Sequence, residues 1–106
     1  MFKPMIVKLA GVSFGEHQAN INKWGWPDVG WYALFREPDN PHDPNAIRVS
    51  FLCRDHLGYV PKKVAQDLAP LLDDGRTFLA ELVSRNEFPG YQLVGLTVRI
   101  VETTPQ

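Results

Sequence analysis

The 106-residue sequence predicts a mainly β fold: a small, partly closed barrel of about six strands with one helical hairpin inserted before the fifth. Three observations carry this reading. Residues 77–85 and 91–101 alternate apolar and polar side chains with a period of two, which suits a strand with one buried face. Residues 31–36 and 46–51 are strand-like runs joined by a loop with three of the nine prolines, too proline-rich for a helix or a central strand. One helical apolar spacing, Val64, Leu68, Leu71 and Leu72, follows Pro61. Six short strands in a chain this size leave exposed edges unless the sheet closes on itself.

The elements follow in order. Residues 5–12 form the first strand, with Lys8 outward or at an edge. Gly11 and Gly15 bracket Phe14, which suggests a bulge or a close backbone approach. Burial frequencies favour Phe14 as a core side chain; the alternative is a presented ring. Residues 18–24 read either as a short helical turn or as an irregular loop. Residues 24–31 hold Trp24, Trp26 and Trp31, with two glycines and a proline that forbid a regular element. The favoured reading packs these tryptophans over one end of the core; the other makes them a surface for a partner.

Residues 31–36 are the second strand and 46–51 the third, followed by a polar turn at 52–56 and a short fourth strand at 57–60. Pro61 opens a helix, since proline is tolerated in a first turn. Pro70 then predicts a kink or a second short helix, and Gly75 a stop. The fifth strand covers 77–85 and the sixth 91–101, across a turn at 86–90. Residues 102–106 read as a frayed polar tail. The whole is one domain over 1–106, with a core at about 5–101.

A net charge of −1 removes any global nucleic-acid signal, so a basic footprint has to be local. The lone Cys53 rules out an internal disulfide and suits a reducing compartment. The N-terminal apolar run is short and broken by Lys8, unlike a signal peptide, and no run reaches membrane-spanning length. A cytoplasmic protein without a membrane partner is expected. Phosphate-binding glycine loops and nucleophile elbows are missing, and Ser13, His17 and Asp43 have no triad-like spacing. Cys53 and His56 have ligand-like spacing without the further ligands a structural metal site needs. No enzyme, metal or cofactor is expected.

What remains is a mixed constellation at strand ends and turns. Phe14, Tyr59 and His42 offer flat rings for base stacking, while Arg48, Lys62 and Lys63 offer cations for phosphate. Lys62 and Lys63 also start a helix, where free N–H groups favour an anion. Asp43 and Asn45 either brace the loop through local backbone bonds or, for Asp43, meet a sugar hydroxyl rather than a phosphate.

REPDNPHDPNAIRV at 36–49, GYVPKK at 58–63 and AGVSF at 10–14 together resemble the HIRAN domain, over nearly the whole chain. The resemblance implies an OB-like barrel that captures single-stranded DNA at a free 3′ end without catalysis; RNA is the other candidate ligand. By position, Phe14 would stack on a base and Asp39 and Asn40 would hydrogen-bond the terminal nucleotide. His42, where tyrosine is frequent, would pack on the last base or sugar. Asp43 would accept from the 3′-hydroxyl, Tyr59 would line the same site, and Lys62 or Lys63 would hold a phosphate. Ser13 and His17 stand where some members carry arginine. A separate helicase or nuclease is the implied partner, in a DNA-repair setting. The alternative function is a protein-interaction module built on Trp24, Trp26 and Trp31.

Overall fold

The computed structural model describes residues 2–103. One antiparallel sheet contains β1 (Met5–Lys8), β2 (Trp31–Arg36), β3 (Ile47–Phe51), β4 (Asp55–Tyr59), β5 (Phe78–Asn86) and β6 (Gly95–Glu102). Their order is β1-β6-β5-β2-β3-β4. The two outer strands are joined by a single bridge. Ala10 N donates to Tyr59 O (2.8 Å), and Tyr59 N donates back to Ala10 O (2.9 Å). The sheet is thereby a partly closed, OB-like barrel, as its alternating strands predict.

Closure depends on a missing side chain. A Cβ on Gly58 would lie 2.8 Å from Ala10 O, closer than real contacts allow, so only glycine lets the two backbones approach. Gly11 then reverses the chain at φ +64°, a left-handed conformation that favours glycine. The first strand is consequently shorter than expected: after Leu9, whose N–H still donates to Leu96 O (2.9 Å), the chain leaves β6 and crosses to β4.

Inward positions fill the barrel. Tyr32, Ile47, Val49, Leu57, Leu96, Val98 and Ile100 are essentially inaccessible. Burial pushes the Tyr32 hydroxyl up to about 12 despite the nearby charge of Arg85, so it stays protonated and donates to Trp24 O (2.8 Å). α1 (His17–Trp24) adds Ile21 to this core, which settles the helix-or-loop alternative for this stretch in favour of a helix. It has no left-handed glycine cap. Arg85 takes that place, donating to Ile21 O (3.1 Å) and Gly25 O (3.2 Å).

α2 (Lys62–Asp73) lays Ala65, Leu68 and Ala69 on the core. It is one helix rather than the expected hairpin. Pro70 sits on its exposed face, where the carbonyl that loses its partner can meet water, and Asp74 N still donates to Pro70 O (3.0 Å). No helix among the described residues is long and apolar enough to cross a membrane.

β6 begins at Gly95, four residues later than its alternation suggests. The side chain of Gln18 takes the ladder's place at Val94: its Oε1 accepts from Val94 N (2.9 Å), and its Nε2 donates to Val94 O (2.9 Å). A bulge between Leu82 and Ser84 also resets the phase of β5 and leaves Val83 outside. Pro27–Val29 forms a short 3-10 turn inside the tryptophan stretch, with proline at the start of the turn. In the C-terminal tail, Glu102 belongs to β6, and 104–106 lie outside the described residues.

The seam generates a prediction. Gly58→Ala is expected to destabilise the domain by about 2 kcal/mol, as overpacking of a tight site does. Urea denaturation measures this, and an unchanged midpoint would show that the approach is not required.

Candidate functional site

A cleft of about 690 Å³ opens beside the seam, between the turn after Ala10 and the loop joining β2 to β3. Ala10, Ala46 and Val60 give it apolar walls. Of the eight expected residues, Phe14, Asn40, His42, Asp43, Tyr59 and Lys62 line it. Asp39 and Lys63 are exposed and lie outside its wall.

Phe14 is 66% exposed, which overturns its reading as a core side chain. Its turn cannot collapse inward, because His17 N donates to Phe14 O (3.0 Å) and Phe14 N to Gly11 O (3.2 Å). The Gly11 carbonyl also accepts from His17 Nδ1 (2.7 Å). A carbonyl can only accept, so Nδ1 carries the hydrogen and the tautomer is set. His17 lines the cleft and meets Tyr59 edge-on, with centroids 6.0 Å apart.

The β2–β3 loop is braced from within, as its Asp and Asn content suggests. Asn40 Oδ1 accepts from His42 N (2.8 Å) and Asp43 N (3.2 Å), and Asp43 Oδ1 accepts from Asn45 N (2.9 Å). Arg36 fixes the loop's base by donating to Asp73 on α2 through Nε (2.9 Å) and Nη2 (3.3 Å), and to Ala46 O through Nη1 (3.0 Å). The Asn40 oxygen is thus already occupied twice, leaving Asn40 as a brace with one free N–H.

Glu37, which the sequence reading passed over, is the hub of this loop. Its Oε1 accepts from Tyr59 OH (2.8 Å) and Asn40 Nδ2 (3.0 Å), and its Oε2 from Arg48 Nη1 (3.0 Å). Burial opposes ionisation, but the hydrogen bonds from Asn40, Tyr59 and Arg48 outweigh it and hold the carboxyl below its ordinary value. Tyr59 moves the other way: burial and the bond to Glu37 raise its hydroxyl. Arg48 is therefore engaged with Glu37, 5.1 Å over the Phe35 ring, rather than among the cleft-lining groups.

The three tryptophans differ in exposure and partners. Trp24 is half-buried and stacked on Phe51 at 3.9 Å, with its indole N–H donated to Asp55 Oδ2 (2.6 Å). Trp26 and Trp31 are exposed, Trp26 under the Arg85 guanidinium at 3.8 Å. Phe88 and Tyr91, also exposed, meet edge-on in the β5–β6 loop. Gln18 ties that loop to the Phe14 turn by donating from Nε2 to Val12 O (3.0 Å) as well as to Val94 O.

The fold and the cleft define a class: an OB-like barrel with a ring-lined cleft at its closing seam. The comparisons give the family. The HIRAN domain model matches residues 31–100, and the chain belongs to that family. A Fanconi-associated nuclease 1 homolog from Oryza sativa subsp. japonica is 49% identical over 43 residues, 38% of this chain and 4% of the relative. A helicase-like transcription factor from Oryctolagus cuniculus is 45% identical over 42 residues, 40% of this chain and 4% of the relative. The matched segment is thus a small part of either relative. The crystal structure of a protein from Lactobacillus plantarum shares the fold, with TM-score 0.70 at 22% identity, covering 95% of this chain and 100% of that one. The HIRAN domain of human HLTF shares it too, with TM-score 0.65 at 18% identity over 93% and 74% of the two chains.

Glu37 links the site to stability. Its folded carboxyl titrates below its ordinary value of 4.5, so the ionised form stabilises the fold above that pH. This contribution is lost as pH falls through the lower, folded value. The urea midpoint of the wild type should therefore drop more steeply below about pH 4.5 than that of Glu37→Gln. Parallel curves would show that the carboxylate is not stabilised by folding.

Proposed function

We propose that the cleft holds the 3′ end of single-stranded DNA as a binding module without catalysis of its own. One observation carries this reading: an exposed ring and a lysine share a cleft with groups suited to accept hydrogen bonds. Phe14 offers a face for a base, and Lys62, at the start of α2, offers a cation for a phosphate. Asp43 spends one oxygen on Asn45 N and keeps the other for a donor. Tyr59 donates its O–H to Glu37, so its oxygen is left to accept as well. A carboxylate beside such an acceptor repels an internal phosphate and suits a terminal hydroxyl. His42, exposed on the braced loop, packs on the last sugar or base. Asp39 and Lys63, outside the wall, serve at most as outlying contacts.

Family membership supports this reading, and so do the names of the relatives, a nuclease and a helicase-like factor. The chemistry of cutting or unwinding belongs to such an enzyme, which this domain would direct to a strand end. An RNA end offers the same hydroxyl and is a test arm rather than a separate reading.

Fluorescence anisotropy at low salt tests it, with a short labelled strand ending in a 3′-hydroxyl or a 3′-phosphate. The hydroxyl form is expected to bind more tightly. Phe14→Ala should weaken binding about tenfold or more, as loss of one stacked base does. Affinity should fall with salt at a log–log slope of about −0.7 per phosphate contact. Strands of every end chemistry leaving the anisotropy unchanged would overturn the proposal.

A further inference from the structure

Resting on the 3′-end reading above, we propose that Glu37 sets the end specificity of the cleft as a positioning residue, by fixing the hydrogen-bond polarity of Tyr59. Glu37 does not line the cleft itself. It acts from behind, through the two side chains whose hydrogens it takes.

A phenol can donate once and accept twice, and its hydroxyl rotates to suit its neighbours. Beside an ionised carboxylate only one arrangement is available. Tyr59, which lines the cleft, donates its OH to Glu37 Oε1 (2.8 Å), so toward a ligand its oxygen can only accept. Glu37 fixes Asn40 in the same way. Asn40 Nδ2 donates to the same oxygen, which turns Oδ1 toward the loop amides of His42 and Asp43. Arg48 on Oε2 (3.0 Å) holds the carboxylate in place and keeps it ionised. A terminal hydroxyl has a proton for this wall, whereas a terminal phosphate brings acceptors and charge against the Tyr59 oxygen and the Asp43 carboxylate, with the Glu37 carboxylate behind them. The discrimination thus comes from a residue that the strand never touches.

Replacing Glu37 by glutamine reverses the polarity. The glutamine oxygen has one strong claimant, the charged Arg48 guanidinium, since an N–H placed there would face a cation. Its NH2 then faces Tyr59 and Asn40. Tyr59 is the one able to rotate, and it becomes an acceptor toward position 37 and a donor toward the cleft. The change removes a negative charge and supplies a donor, and both favour a phosphate end.

The test measures anisotropy of the hydroxyl- and phosphate-ended strands with wild type, Glu37→Gln and Tyr59→Phe, each checked by thermal melting. The expected result is a hydroxyl-over-phosphate preference about tenfold smaller in Glu37→Gln, the scale of one charge-assisted hydrogen bond. Affinity for the hydroxyl strand should change less than the preference does. Tyr59→Phe, which removes the phenol oxygen and keeps the carboxylate, should also lose preference, and it decides the question if Glu37→Gln fails to fold. A folded Glu37→Gln that weakens both strands equally, or a Tyr59→Phe that keeps the full preference, would overturn the proposal and leave Glu37 as a loop brace. A wild type that binds both strands equally would instead sink the 3′-end reading, and this inference with it.

Discussion

The two-hydrogen-bond bridge between Ala10 and Tyr59 is the constraint on which the rest of the molecule depends. It joins the two outer strands of a six-strand sheet whose other neighbours pair through antiparallel ladders, two of them with a bulge. Because Gly58 has no side chain, the strand edges come close enough to exchange both bonds. The bridge sets the position of Tyr59 and sends the chain into the Gly11 turn that lifts Phe14 into solvent. The opening beside the seam is a result of closing the barrel with one residue pair rather than a full ladder.

Charge is distributed in keeping with that geometry. A net charge of −1 gives no global basic character, and the cationic side of the cleft is local: Lys62 and the free amides at the start of α2. Arg48 lies nearby in the sheet, but Glu37 neutralises it and uses it to hold the loop. The loop is rigid because it is braced at several points: Asn40 with the loop backbone, Asp43 with Asn45, and Arg36 with α2. Such a loop offers an incoming ligand a fixed shape, and little ordering entropy remains to be lost on binding.

Much of this was legible in the chain. The apolar run Trp31–Arg36 and the alternating first half of β5, where burial on one face imposes a period of two, both fold as the expected strands. Pro61 marks the start of α2 because a first turn has no use for the missing N–H. The end of that helix was not legible, since whether Pro70 breaks it depends on which face meets water. β6 starts late because Val94 bonds to Gln18, 76 residues earlier, and no local pattern encodes that. Glu37 escaped notice for the same reason: its partners Arg48 and Tyr59 lie 11 and 22 residues away. Average burial frequencies place Trp24 rightly, since Phe51 waits beneath it, but they misplace Phe14, Trp26 and Trp31, because they do not know that a glycine turn presents one ring and that the other two face solvent.

The Gln18 tie also bears on how the domain comes to exist during synthesis. The first seventeen residues carry one wall of the cleft, yet Ala10 needs Tyr59, Leu9 N donates to Leu96 O, and Gln18 needs Val94. The wall that is translated first is therefore the one completed last. A nascent chain holding the whole β2–β3 loop and α2 has every lining residue of the cleft but still lacks Val94 and Leu96, the partners that hold Gln18 and Leu9. Closing so long a loop is the slow, entropically costly part of folding. The braces of the cleft wall and the finished barrel thus appear together, and a product truncated before residue 94 lacks both.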